Sequence, residues 1–574
     1  METKSVKNFL AVAIALAVFM SGALASTGNN IASSNSQTST GGTLVTDMVA
    51  QTATNVANVN GDNNNIVQEN NQWIYDSVVA DMFQDATNYI DVTGDNNGDV
   101  LDPLHQENTQ TAYGATVGLL DQVGNNVAYI VDGNGNYLDQ VNAQSASNGE
   151  FAYATQTATN YANVVESSSN DIVQVNKQQL YNTALGSGTT VTQMVTNSAD
   201  LYDSDANSVN QDNEQTVANG AYVVYADQTA NNIADLDYST GSTVDQTNAQ
   251  TADNGAEVDF LSQLGNNVAT LYYSLGNTVV DQTNAQTVDN AEVDTMTQTV
   301  NNIATLDGTL DDTITQTNAQ TASNYAEVDT MTQTANNVAD MYGLSWGNTV
   351  DQTNSQLVSL ALAYDVDQTA NNLATVGFAD NSRITQRNDQ DIYNIAAAGY
   401  AYQTATNDAQ IYDGWYANPS NVIAQSNDQT VSNIAGALYM SATQTNVATI
   451  GLYGDQEVED DYGNTITQSN SQAISDIAAA LDAEVVQTNI ANLPSIDGLA
   501  VTGNTVDQSN AQAIYDWSAA VYAVATQTNV ADIGEYSVED ASGNSVSQSN
   551  SQAVNAGSLD FITYATQNNL ATLT

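Results

Sequence analysis

The chain is 574 residues long, with 65 acidic residues against five lysines and arginines, one histidine, no cysteine and three prolines. A formal charge of −60 excludes the cationic phosphate contacts on which nucleic-acid binding rests, and it disfavours anionic membrane surfaces for the same reason. Without cysteine there are no disulfides, so packing and hydrogen bonds alone must hold the chain.

Residues 1–25 read as a signal peptide. Lys4 and Lys7 precede the apolar run from Phe9 to Phe19, and Ala23-Leu24-Ala25 supplies a small-residue cleavage site. The run is shorter than the roughly 20 apolar residues that a spanning helix needs, and no second apolar segment follows. A secreted chain beginning near Ser26 is expected, with no transmembrane segment in its mature part. It keeps three basic residues (Lys177, Arg383, Arg387) against 64 acidic ones.

From Ser33 onward the chain repeats itself. A degenerate copy (Ser33, Asn35, Gln37) opens a series of Gln-x-Asn-x-Gln motifs that begin at Gln68, Gln106, Gln140, Gln174, Gln211, Gln246, Gln282, Gln316, Gln352, Gln386, Gln425, Gln468, Gln508 and Gln548. The fifteen copies lie 34 to 43 residues apart, and self-similarity at a near-fixed period marks a stacked array. Each period carries a second motif, in full form Gln228-Thr229-Ala230-Asn231-Asn232-Ile233-Ala234, repeated at Gln263, Gln298, Gln333 and Gln368 and earlier at Gln51, Gln122 and Gln156.

Successive side chains on a strand alternate between faces. The first motif therefore presents Gln246, Asn248 and Gln250 on one side, and likewise Gln282, Asn284, Gln286; Gln316, Asn318, Gln320; and Gln352, Asn354, Gln356. The second presents Gln228, Ala230 and Asn232 together, with Asn267, Asn302, Asn337 and Asn372 at the same place in later periods. Thr229, Asn231, Ile233 and Asp235 take the other face. In the last four periods the glutamine stands two residues nearer the asparagine, as in Gln444-Thr445-Asn446. A shift of two keeps the face, whereas a shift of one would invert it.

These patterns predict an all-β fold: a β-solenoid or stacked β-arch array of about 15 coils, continuous over residues 26–574. At about 4.8 Å per coil it would stand roughly 70 Å tall. Buried amides would pair along the stack and order a chain lacking an oily core. Length varies mainly after the second motif, in turn-rich segments such as Gly451-Leu452-Tyr453-Gly454-Asp455, which places the variable loops on one edge.

The phrase Gln228, Asn232, Ala234 resembles the internal Gln/Asn repeats of bacterial curli subunits, although the periods here are longer. Across residues 26–574 the acidic Asn/Gln/Thr-rich repeats, behind a leader, are similar to the major sheath proteins of filamentous methanogenic archaea. That resemblance implies a self-assembling extracellular protein of the cell envelope, stacked in an amyloid-like tubular sheath around cells. Its expected partners are further copies of itself and other envelope components. The alternative is a curli-like adhesin or biofilm matrix fibre.

Catalysis finds no foothold in the sequence, and an enzyme is not expected. His105 reads as a surface loop residue, and no nucleophile–base set assembles around it. No cofactor is required. Three Ala-Glu-Val-Asp segments would stack Glu257, Glu292 and Glu327 in one column and Asp259, Asp294 and Asp329 in another. Such columns repel, and Ca²⁺ or another divalent cation would relieve them; the plainer reading is a solvated acidic face. The outward threonines Thr229, Thr299, Thr334 and Thr369 suggest an ice-binding array, against which stands ordinary strand preference. Trp73, Trp346, Trp415 and Trp517 are expected largely in connecting segments.

Overall fold

The computed structural model describes residues 20–21, 30–40, 46–60, 65–93, 104–132, 135–166, 169–181, 184–203, 207–218, 222–238, 241–253, 257–273, 278–307, 311–323, 327–342, 345–360, 362–395, 398–413, 420–434, 437–451, 461–477, 480–493, 501–517, 520–533, 543–556 and 560–573. These residues form strands and turns and no helix. Of the expected leader only Met20 and Ser21 are described, paired in parallel with Val56 and Ala57. The rest of residues 1–25 lies outside the described residues, as do 452–455 in the variable connection.

Alternation makes the strands. Asn65–Tyr75 buries every second residue, and so do Tyr137–Ser147, Asp171–Tyr181 and Thr313–Ser323. The first-motif strands form one 15-stranded sheet, from Asn30–Thr40 to Ser545–Ala556. The longer second-motif strands, from Thr46–Asn60 to Asp560–Leu573, form the facing sheet. That sheet counts 17 strands because the two-residue pieces Met20–Ser21 and Ser345–Trp346 join it. Every pairing is parallel and joins a strand to its equivalent one period away, as in Gln246↔Gln282↔Gln316. The coil is therefore a two-sheet β-solenoid, not a row of hairpins. Motif copies outnumber enclosed coils, because the inward faces of the copies at Ser33 and Gln548 are only half covered.

Register follows the asparagine. Where the second-motif glutamine shifts, Asn407 pairs with Asn446 while Gln403 meets Ala442 and Ala405 meets Gln444. The amide has moved two residues along an unchanged face.

The interior corrects one expectation. It is not an amide core without oil, for two apolar clusters flank the amides along the stack. One holds Val244, Val280, Ala234, Leu236 and their equivalents, the other Ala252, Val288, Val258, Leu261 and theirs. In cross-section the core is apolar, amide, apolar. Burying the aliphatic side chains supplies the non-directional stabilisation, and the amide layer between them sets register.

Coils turn at residues held in the left-handed region. Asp76, Gly114 and Asn148 have φ of 45°, 64° and 52° at one corner. A Cβ on Gly114 would collide with the Asp76 carboxylate below it. Backbone pairing continues around this corner, with the Asp76 and Gly114 N–H groups bonding the Tyr113 and Ser147 carbonyls at 2.9 and 3.0 Å.

Candidate functional site: an interior amide spine

The inward amides of both motifs are buried, as expected, but they do not form separate ladders on each sheet. The asparagines of the two sheets interlock. Asn248 Nδ2 donates across the core to Asn267 Oδ1 at 2.9 Å and along its own sheet to Asn284 Oδ1 at 2.9 Å. It also reaches the Asn266 carbonyl at 3.0 Å. Asn267 continues to Asn284 and Asn302, and Asn302 to Asn318 and Asn337, at 3.0 to 3.2 Å. Asn337, Asn354 and Asn372 extend the same zigzag. Two hydrogens serving three acceptors require a shared bond, which is common where donors are crowded. In-register stacking is what brings each amide opposite its equivalent.

Glutamine ladders run on both sides of this spine. Gln282, Gln316 and Gln352 each donate to the preceding first-position glutamine at 2.8 Å. Gln286, Gln320 and Gln356 do the same at 2.7, 3.0 and 2.8 Å. On the facing sheet Gln263 donates to Gln228, and Gln298 to Gln263, both at 2.8 Å. The two amide types point opposite ways. Inner asparagines donate toward the next coil, and inner glutamines toward the preceding one.

Breaking a ladder has a visible cost. Because the column shifts after Gln403, its Oε1 is buried with no hydrogen-bond partner among the described residues. An orphaned buried acceptor costs about 1–3 kcal/mol.

Sequence reasoning missed two further columns. The residue four before each first-motif glutamine lies at a buried corner, where its side chain caps the preceding coil. The backbone N–H groups of Ser382, Asn421 and Asn464 donate to the Oδ1 atoms of Asn421, Asn464 and Asn504 at 2.9, 2.9 and 2.8 Å. The recurring Gly-Asn at 347–348, 463–464, 503–504 and 543–544 is its sequence signal. Those glycines have φ of 71° to 77°, where an L side chain is disfavoured. The second column is apolar and faces outward on the second-motif sheet. Ile233, Val268, Ile303, Val338 and Leu373 are in paired register, with Ile233, Ile303 and Leu373 exposed. The threonine column is less regular, since Leu264 stands between Thr229 and Thr299.

The acidic columns are placed unequally. Glu257, Glu292 and Glu327 are in paired register. Pairing steps over Asp259, Asp294 and Asp329, where two successive residues (Asp259 and Phe260, for example) both avoid the interior. Among the described residues, no three carboxylate or histidine groups converge closely enough to hold a metal ion. His105 is a strand residue rather than a loop residue, in Leu104–Tyr113, with Nδ1 3.1 Å from Asp139 Oδ2 and Nε2 3.6 Å from Glu107. Trp73, Trp346 and Trp517 likewise belong to strands, Asn65–Tyr75, Ser345–Trp346 and Thr505–Trp517. Trp415 lies outside the described residues.

Burial raises the carboxyl pKa of Asp212, Asp235 and Asp245, and acidic neighbours on the same or the adjacent strand raise them further, against a smaller lowering of Asp212 by Lys177. Burial alone does so for Asp85, Asp281 and Asp367. Stability from these groups is present below the ordinary carboxylate value and lost as pH rises through their raised values. His105 is raised to about 9, first by its bond to Asp139 and then by Glu107. Its contribution is full below its ordinary value of about 6.5 and lost as pH rises through about 9. Glu107, lowered by His105, works the other way. The sum predicts a higher urea midpoint at pH 5 than at pH 9, measured at fixed ionic strength by far-UV circular dichroism. An equal or lower midpoint at pH 5 contradicts it.

No protein-family model, curated protein or solved structure matches this chain.

Proposed function

We propose that this chain is a secreted structural protein whose copies stack, coil on coil, into an amyloid-like sheath of the cell envelope. The observation that carries the reading is the buried amide spine, whose hydrogen bonds along each sheet link one coil to the next. Such a spine extends with the same geometry for as many coils as are added. At Ser545–Ala556 and Asp560–Leu573 the strands pair on one side only among the described residues. An unpaired strand edge is a template for another chain. Charge opposes the association, so salt that screens the acidic surface favours it.

A matrix fibre, the second reading, needs only the stack. A cell-enclosing layer also needs lateral contacts, and the apolar column through Ile233, Ile303 and Leu373 offers a surface for them.

Electron microscopy and fibre diffraction of the purified chain in salt test the proposal. Expected are filaments many coils longer than one molecule, with a meridional reflection at about 4.7–4.8 Å. Filaments joined side by side into sheets or tubes support the sheath, and isolated fibres the matrix reading. Persistent monomers at high protein and salt concentration end both.

A further inference from the structure

The opposed directions of the asparagine and glutamine ladders leave the two ends of the array chemically different. On the last described coil, Asn569 Nδ2 donates to nothing among the described residues. Asn550 Nδ2 bonds the Asn568 carbonyl and Asn569 Oδ1 at 3.1 and 2.7 Å but has no acceptor in a following coil. Gln552 gives its Nε2 to Gln512 Oε1 at 2.9 Å, and its own Oε1 accepts from none of the described residues. That end offers asparagine donors and glutamine acceptors.

Once the leader strand Met20–Ser21 is removed from its edge at Val56 and Ala57, the first described coil offers the reverse. Asn35 donates to the Thr54 carbonyl, Asn55 and Asn70, while its Oδ1 accepts nothing among the described residues. Gln37 Nε2 spends one hydrogen on the Thr52 carbonyl at 2.7 Å and keeps one. Its Oε1 already accepts from Gln72 at 3.3 Å.

We infer that copies join head to tail, the last coil of one receiving the first coil of the next in continued register. Asn550 Nδ2 then meets Asn35 Oδ1, and Gln37 Nε2 meets Gln552 Oε1, repeating interior bonds such as Asn248 to Asn284 and Gln286 to Gln250. Either symmetric joint sets donor against donor and acceptor against acceptor, and each unpaired group excluded from water carries a desolvation cost. Because this head-to-tail joint continues the stack along its own axis, it does not close into a ring and produces a polar, open filament. The inference rests on the proposed self-assembly and adds its direction.

The chain contains no cysteine, which makes the joint directly testable. Ser36 and Ser551 are outward, exposed and three residues after the first-motif position in their coils. They become neighbours on adjacent strands only across a head-to-tail joint. Strand neighbours stand about 4.8 Å apart, within disulfide reach. S36C and S551C chains beginning at the expected mature start near Ser26 are assembled separately and together, oxidised with diamide, and run on a non-reducing gel, with electron microscopy on each sample. A cross-linked dimer only in the mixture supports the inference. Cross-linking of S36C alone or S551C alone shows symmetric joints and overturns it while leaving self-assembly intact. Filaments that cross-link in no sample overturn the in-register joint. Absence of filaments overturns the inference together with the function on which it rests.

Discussion

Replacing Asn302 by aspartate is expected to cost at least about 3 kcal/mol locally, the range for an uncompensated buried charge. Asn302 Oδ1 accepts from Asn267 and Asn284 at 3.0 and 2.9 Å, and a carboxylate could keep both. Its Nδ2 donates to the Thr317 carbonyl, Asn318 Oδ1 and Asn337 Oδ1, each at 3.0 Å. An ionised N302D side chain would turn an anionic oxygen toward those three acceptors in a dry interior. Protonation restores one donor, so the defect should shrink as pH falls through the raised pKa of the new carboxyl group. Coils of a solenoid contact only their neighbours, so the damage should be local. Hydrogen exchange checks it: amide protection should fall across 257–342, with distant coils little changed. The outward change Thr299→Asp should cost about 0.5 kcal/mol or less. Equal loss of protection in the two variants would contradict the spine.

The second large effect is expected from replacing Gln282, Asn284 and Gln286 together by leucine. Leucine fills the space but returns no hydrogen bond. Gln246, Gln250 and Asn302 lose a donor, and Gln316 and Gln320 lose an acceptor. The carbonyls of Ile303 and Thr299 lose theirs too. At about 1–3 kcal/mol for each orphaned group, partly offset by leucine burial, the loss is on the order of 5 kcal/mol or more. The paired outward changes Thr283→Ser and Ala285→Ser alter no inner bond. Assembly kinetics by light scattering and the guanidinium midpoint should both separate the two variants. Indistinguishable behaviour would overturn the face assignment.

Much of this architecture was legible in the sequence because parallel in-register stacking sets like upon like. A motif that recurs with period two fixes the inward face, and Gln444 and Asn446 show why a two-residue shift preserves it. The aliphatic layers could also have been read from Val244, Ala252 and Leu236, which share the faces of the amides. They were hidden by overall polarity, since small and aliphatic residues beside an Asn/Gln run look sparse until every coil contributes one. The corner asparagines carried a Gly-Asn signal that composition alone reads as turn. His105 stands two residues after a proline, and its place on a strand came from Leu104 falling in the column of Ile66 and Leu138.

By itself the sequence determined the strands, their inward faces and their register, because these follow from local alternation and repetition. Only the tertiary structure decided that the two sheets face closely enough for Asn248 to bond Asn267 across the core. It alone decided, too, that asparagine and glutamine donate in opposite directions. The aliphatic and amide side chains packed between the sheets set their separation, and that separation sets which acceptor each amide can reach. Those distances belong to the closed coil, and no spacing along the chain encodes them.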